Sequence, residues 1–376
     1  MSTLQSLTVQ VLLAPERSLG LSMPEWDLLV RQARRANLLA KLAYVLQDGG
    51  RIADVPSAPR LHLQAALRIA ERQQLALRWE VECIRVALTV VPAPLILLKG
   101  AAYAMAGLSA ARGRMFADVD ILVPRELIAR VESGLTIHGW RGEDMDAYDQ
   151  HYYRHWMHEI PPMRHVRRGT SIDVHHTILP GTARIKVNTA ALFGGVRSLP
   201  EQAGVDVLQP VDMLLHSAAH LFHEGELDNG LRDLFDLDGL LREFGRDPGF
   251  WAALVPRSIA LGLERPLFYA LRYTSMMLDA AVPASVLAAS VAAGAPSGPV
   301  LALMDACYVR ALQPMHGSCD RFGTWSARMA LYVRSHWLRM PMHLLGYHLV
   351  RKAVKPDKAL TEAKAMAPPG GKKPQA

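Results

Sequence analysis

The chain has 376 residues, half of them hydrophobic, with a mean hydropathy near zero and a formal net charge of +7. That length can bury a large core and suits two domains, and the balance is that of a soluble, globular chain. The positive charge is local: residues 321–376 hold eleven Lys/Arg against two acids, leaving the first 320 at about −2, which excludes a basic nucleic-acid-binding surface spread over the whole protein.

In chain order, residues 1–24 read as an irregular lead-in. From Glu25 to Val90 the pattern is helical. Leu28, Leu29, Ala33, Leu38, Leu39 and Leu42 recur at roughly helical spacing, and a second run extends from Pro59 to Leu88. Asp48-Gly49-Gly50 and Pro56-Ser57-Ala58-Pro59 interrupt it. Val91-Pro92-Ala93-Pro94 then leads into an apolar strand, Leu95 to Leu98, which ends at Lys99-Gly100. A small-residue, helix-compatible segment follows, and after it comes Asp118-Val119-Asp120-Ile121-Leu122-Val123.

In that last stretch residues i and i+2 share a face of a strand, so Asp118 and Asp120 point the same way. Two adjacent carboxylates repel unless a cation lies between them or one is protonated. Hard oxygen ligands converging on one point suit Mg²⁺, which takes one or two carboxylates together with substrate phosphates. Gly100 allows backbone to approach a phosphate, a helix start favours an anion there, and Lys99 adds positive charge. Metal on one strand and a phosphate grip on its neighbour point to phosphoryl or nucleotidyl transfer.

This combination resembles the DNA polymerase β-like nucleotidyltransferase superfamily, with its apolar strand, Gly-Ser turn, helix and Asp-x-Asp strand. It is more closely similar to an uncharacterised bacterial nucleotidyltransferase group whose turn reads Leu-Lys-Gly-Ala, with an arginine four residues before Asp-x-Asp. Here these are Leu98-Lys99-Gly100-Ala101 and Arg114. The superfamily serine is replaced by Ala101, and the gap from turn to first Asp is longer than usual.

The resemblance implies that Lys99, Gly100, Ala101 and Arg114 bind the nucleotide phosphates. It also implies a third carboxylate on a later strand, written Asp-apolar-His, which Asp173-Val174-His175 supplies. Asp118, Asp120 and Asp173 would hold two Mg²⁺ ions, with Mn²⁺ as a substitute, and Asp173 would act as general base toward a hydroxyl acceptor. The partners implied are an NTP and that acceptor, with no specific nucleic-acid binding.

After the Asp-x-Asp strand, Pro124 opens a helix running to about His138. Residues 149–180 read as strands: the aromatic run Tyr152 to Trp156, then Met163 to Val166, then Ser171 to His175, in which Asp173 and His175 share a face. From Ala183 onward the pattern is almost wholly helical. His216, His220 and His223 fall on one helical face, read as buried, hydrogen-bonded histidines ahead of a zinc site. His175, His223 and Asp236 are candidates on the acceptor side, although Asp233, Asp236 and Asp238 also read as a solvated helical face.

The longest uncharged run, Ala280 to Met304, is broken by Pro283, Gly294, Pro296, Gly298 and Pro299, which argues for a loop between helices and against a membrane span. Residues 325–350 form an amphipathic helix whose stripe is Trp325, Met329, Tyr332, Val333, His336, Trp337, Met340 and Leu344. With Arg328, Arg334 and Arg339 alongside, weak membrane-surface contact is one role for it, and packing on the body the other. The tail from Lys352 has a disordered composition. Three scattered cysteines and the lack of a basic-then-apolar N-terminus fit a cytoplasmic protein without a signal peptide.

The expected fold is α+β and mainly helical, with a small mixed sheet of the polymerase β-like type. The regions expected are N-terminal helices (1–90), a nucleotidyltransferase sheet (91–182), a C-terminal helical domain (183–350) and a basic tail (351–376). The leading function is metal-dependent transfer of an NMP group to a hydroxyl on a small molecule, sugar or protein. The alternatives are an antitoxin-like or regulatory module on the same fold, or a membrane-surface accessory factor in exopolysaccharide production, where the closer group is often met.

Overall fold

In the computed structural model, residues 5–142, 147–223, 225–341 and 344 are described. The fold is α+β, 62% helical, with one mixed seven-stranded sheet. The strands are β1 (Ile96–Leu97), β2 (Asp118–Leu122), β3 (Trp140–Gly142), β4 (Met163–His165), β5 (Ser171–His175), β6 (Val196–Ser198) and β7 (Asp206–Leu208). They lie in the order β3-β4-β5-β2-β1-β7-β6. β2 runs parallel to β5 and antiparallel to β1, which is itself parallel to β7. Val119, Ile121 and Leu122 of β2 are buried, as are Ile172 and Val174 of β5, so apolar burial on both strands fixes the register that carries the acids.

The N-terminal helices form as their periodicity predicts: Met23–Arg35, Leu39–Asp48 and the long Ser57–Ala87. The long helix buries Leu63, Leu67, Ala70, Leu77, Val81 and Ile84, a stripe at three- and four-residue steps. From residue 5 onward the lead-in is mostly helical. A helix spans Leu7–Leu13, capped by Ser6, whose hydroxyl accepts from the Val9 N–H, and a 3₁₀ stretch covers Pro15–Gly20. Val9 and Val11 are fully buried, but seven residues are too short a window to display a helical period.

Two further corrections concern strands. The aromatic run at 152–156 belongs to a helix, Ala147–Trp156. Its Tyr152 and Trp156 rings meet one turn apart at 5.9 Å, and the Arg154 guanidinium grips Glu132 at 2.7 and 3.0 Å. Here i,i+4 packing outweighs the β preference of aromatic residues. In the other direction, β6 and β7 interrupt the helical C-terminal half. They pair with each other, and β7 pairs with β1, so the sheet draws on residues beyond 182.

Helix Pro210–His223, almost wholly buried, follows β7 and packs against helices Gly230–Phe244, Pro248–Leu261 and Glu264–Leu278. The uncharged run forms helices Ala284–Gly294 and Gly298–Ala311, with only residues 295–297 between them. Among the described residues no single helix is long and apolar enough to cross a membrane. Those two pass on length and composition only as a pair, and they are bent by 114°.

The last helix, Thr324–Arg339, does not pack its bulky stripe on the body. Ala327, Leu331, Ser335 and Leu338 are buried, whereas Trp325 (73% exposed), Met329, Tyr332, Val333 and Trp337 face outward. Small residues permit the close contact: a Cβ on Gly225 would come within 2.1 Å of the Ser335 Oγ. From the side of the helix, Arg334 donates to the Phe222 carbonyl at 2.9 Å. The rest of the 325–350 span, apart from Met340, Pro341 and Leu344, and the tail lie outside the described residues.

Candidate active site

The site is built on the β2–β5 pair. Parallel register sets Asp118 beside Ser171, Asp120 beside Asp173 and Leu122 beside His175. Asp118, Asp120, Asp173 and His175 therefore share one face, on strands that run about 4.8 Å apart. Asp118 is exposed at the strand start, Asp120 is 6% exposed and Asp173 is half-buried. The Asp173 Oδ1 is buried without a hydrogen-bond partner. Burial, then Asp120, Glu159 and Asp118, push the Asp173 carboxyl up to about 7. Burial and Asp120 likewise raise Asp118.

Asp120 behaves differently. Burial would raise it, but Lys99 and His175 outweigh that and hold it well below the usual carboxylate range. Lys99 Nζ lies 3.2 Å from its Oδ1, and His175 Nε2 lies 2.9 Å from the same oxygen. β1 delivers Lys99 to this position: the Leu98 N–H donates to the Asp120 carbonyl at 3.0 Å, and the chain then turns through Lys99 at φ 46°. A non-glycine residue in the left-handed region is strained by about 1 kcal/mol or more, and such strain gathers at functional sites. Although burial opposes charge on Lys99, Asp120, Glu159 and Asp118 raise its pKa, so the ammonium persists.

On its other side His175 meets residues that sequence reasoning missed. Its Nδ1 lies 3.3 Å from Glu159 Oε2, and His158 Nε2 lies 3.8 Å from that same oxygen. Residues 158–160 run antiparallel to the end of β5, with Glu159 bridged to His175, His176 N–H donating to the His158 carbonyl and Ile160 N–H to Val174. Too short for a periodic signature, this segment becomes visible only through its pairing. Burial, then His175 and Lys99, keep His158 well below its ordinary pKa and therefore neutral. Burial and Lys99 do the same to His216, lowered to about 3, and to His220.

Arg114 is placed beside the turn. Its Nε donates to Asp236 Oδ2 at 2.7 Å, and its guanidinium lies so close over Gly100 that a Cβ there would come within 2.0 Å of Nη1. Gly100 thus makes room for an arginine, and Ala101 is buried in the core. The solvated acidic face expected at 233–238 is not found. Asp236 and Asp238 are buried, tied to Arg114 and Arg242, and Asp233 pairs with Arg232. For Asp236 the buried Arg114, 122 residues away and invisible to helical periodicity, favours the inward side.

His216, His220 and His223 do not converge on a ligand point; among the described residues, only His158, Glu159 and His175 do. His223 is 1% exposed, lowered to about 3 by burial and then by Arg339 and Arg334. The structure therefore gathers Lys99, Asp118, Asp120, Asp173 and His175, sets Gly100 and Arg114 with Asp236 alongside, and puts His223 next to a different pair of cations.

No curated protein and no solved structure matches the chain. Over residues 22–279, however, it matches the model of a family described as uncharacterised nucleotidyltransferase, and to that family it belongs.

Proposed function

We propose that the chain is a metal-dependent nucleotidyltransferase of polymerase β-like type, moving an NMP group from an NTP to a hydroxyl acceptor. The observation that carries this reading is the register of Asp120 against Asp173 with Asp118 on the same face. The donor set suits a hard divalent cation in kind, although its carboxylate oxygens are not drawn as close together as the ligand atoms of His158, Glu159 and His175. All its atoms are carboxylate oxygens, one of them is buried and unpartnered, and Asp118 and Asp173 have raised pKa values that mutual repulsion helps to produce. Asp118, Asp120 and Asp173 would hold Mg²⁺, or Mn²⁺ in its place. When bound, such ions neutralise charge on the transferring and leaving phosphate oxygens.

The chain's own residues do the rest. Asp173 accepts the acceptor's hydroxyl proton as that oxygen bonds to the α-phosphorus and the bond to pyrophosphate breaks. Lys99 and His175 both contact Oδ1 of Asp120 and so keep this carboxylate ionised, without spending Oδ2. Arg114, fixed by Asp236, places a guanidinium over Gly100, at the edge of the turn the triphosphate approaches.

The test is to incubate the full chain with Mg²⁺ and each α-labelled NTP, using cell extract as the acceptor source. Label transfer or NTP turnover is expected in the wild type and should disappear in Asp118→Asn and Asp120→Asn, whose folds are checked by circular dichroism. Wild-type rates in both variants would show the metal assignment to be wrong.

A further inference from the structure

We infer that His158, Glu159 and His175 form a second metal site, for a transition-metal dication of the zinc class, distinct from the three aspartates. The inference goes beyond nucleotidyl transfer and does not depend on it. One nitrogen from each imidazole and one carboxylate oxygen lie within 4.8 Å of one another. Tetrahedral zinc, with bonds of about 2.0–2.1 Å, holds its ligand atoms roughly 3.3–3.4 Å apart. The His175 Nδ1 to Glu159 Oε2 edge is already 3.3 Å, and the His158 Nε2 to Glu159 Oε2 edge is 3.8 Å.

The surroundings have the form such sites take. A metal-bound histidine characteristically donates its second ring N–H to a carboxylate, which fixes the tautomer. His175 Nε2 sits 2.9 Å from Asp120 Oδ1, so an N–H donated there leaves Nδ1 to bind an ion lying between it and Glu159. Backbone bonds hold the ligands in place: Glu159 bridges His175, and the His158 carbonyl accepts from His176. The Nδ1 of His175, the proposed ligand atom on the Glu159 side, is buried with no hydrogen-bond partner.

Two nitrogens and one oxygen select a borderline-soft ion, whereas Asp118, Asp120 and Asp173 offer only hard oxygen. Three protein ligands leave one tetrahedral position for water or a substrate atom. Because His175 touches both sets, an ion here would be coupled to Asp120 through a single imidazole.

The experiment strips the full-length chain with chelator and titrates it with Co²⁺, reading the visible absorption of four-coordinate cobalt and the stoichiometry by equilibrium dialysis. With millimolar Mg²⁺ present to occupy the aspartates, one four-coordinate Co²⁺ per chain is expected, displaced by Zn²⁺. Glu159→Gln and His158→Gln should each weaken binding at least about tenfold. Asp120→Asn, which removes the supporting carboxylate, should weaken it roughly 10- to 100-fold, and Asp118→Asn should leave it unchanged. Absence of the band in the wild type, wild-type binding in both the Glu159 and His158 variants, or loss of the band only in Asp118→Asn would each overturn the site. The wild-type titration decides even if one variant fails to fold.

Discussion

Asp120 and Asp173 occupy the same register on neighbouring parallel strands yet sit in opposite protonation regimes. The first is held ionised by Lys99 and His175, and the second is pushed up to about 7 by burial and by the first. In the ion-free chain the raised group contributes stability that is complete below about pH 3.8 and is lost as pH rises to about 7. Asp173→Asn should therefore match wild type near pH 4 and exceed it by roughly 1–3 kcal/mol at pH 7.5. Millimolar Mg²⁺ should stabilise the wild type and not the variant. Urea unfolding at the two pH values, with and without Mg²⁺, checks both statements.

Lys99 competes with any cation for Asp120. Lys99→Met should bind Mg²⁺ roughly threefold to tenfold more tightly, since about 1 kcal/mol of competing charge is removed, while transferring label on the order of 100-fold more slowly. Isothermal titration and the label assay separate the two effects. Unchanged Mg²⁺ affinity would mean the 3.2 Å contact does not act on the ion site.

Gly100 is required by a neighbour and not by its own backbone. An added Cβ would meet Arg114 at 2.0 and 2.7 Å, so Gly100→Ala must displace the guanidinium and leave Asp236 buried and unpaired. A loss of roughly 2–4 kcal/mol is expected. Gly107 lies at φ +68° with open space around it, so Gly107→Ala should cost only about 1 kcal/mol. Denaturant midpoints of the two variants test the contrast.

Asp212 opens the Pro210–His223 helix with no exposed surface, and Arg257 grips it with two bonds of 2.7 Å. Removing one partner of a buried pair strands the other charge. Arg257→Met should lower stability by roughly 3–5 kcal/mol, and Arg257→Met with Asp212→Leu should recover much of that. A double-mutant cycle measures it.

The carboxylates were legible before the structure because strand periodicity is local: Asp118-Val119-Asp120 and Asp173-Val174-His175 each declare which residues share a face. What joins them, register between strands more than fifty residues apart, is tertiary. The same limit hid Glu159, whose place depends on pairing with His175, and the inward turn of Asp236, which depends on Arg114. Of the two roles open for the 325–350 stripe, its packing on the body is not what helix 324–339 does, because Gly225 and Ser335 set the close contact on the opposite side. Arg114, which the resemblance implies as a phosphate ligand, is held through Nε by Asp236, 122 residues away.

β1 has only two residues, and it lies between β2 on one flank and β7 on the other. A fragment ending at residue 182 would lose β7 and leave Ile96 and Leu97 with bare N–H and C=O groups along one side of the same strand that carries Lys99 into place. Dissecting this protein into a minimal catalytic piece would thus produce an adhesive edge, prone to stacking with copies of itself. Expression work should retain the chain at least through the Pro210–His223 helix.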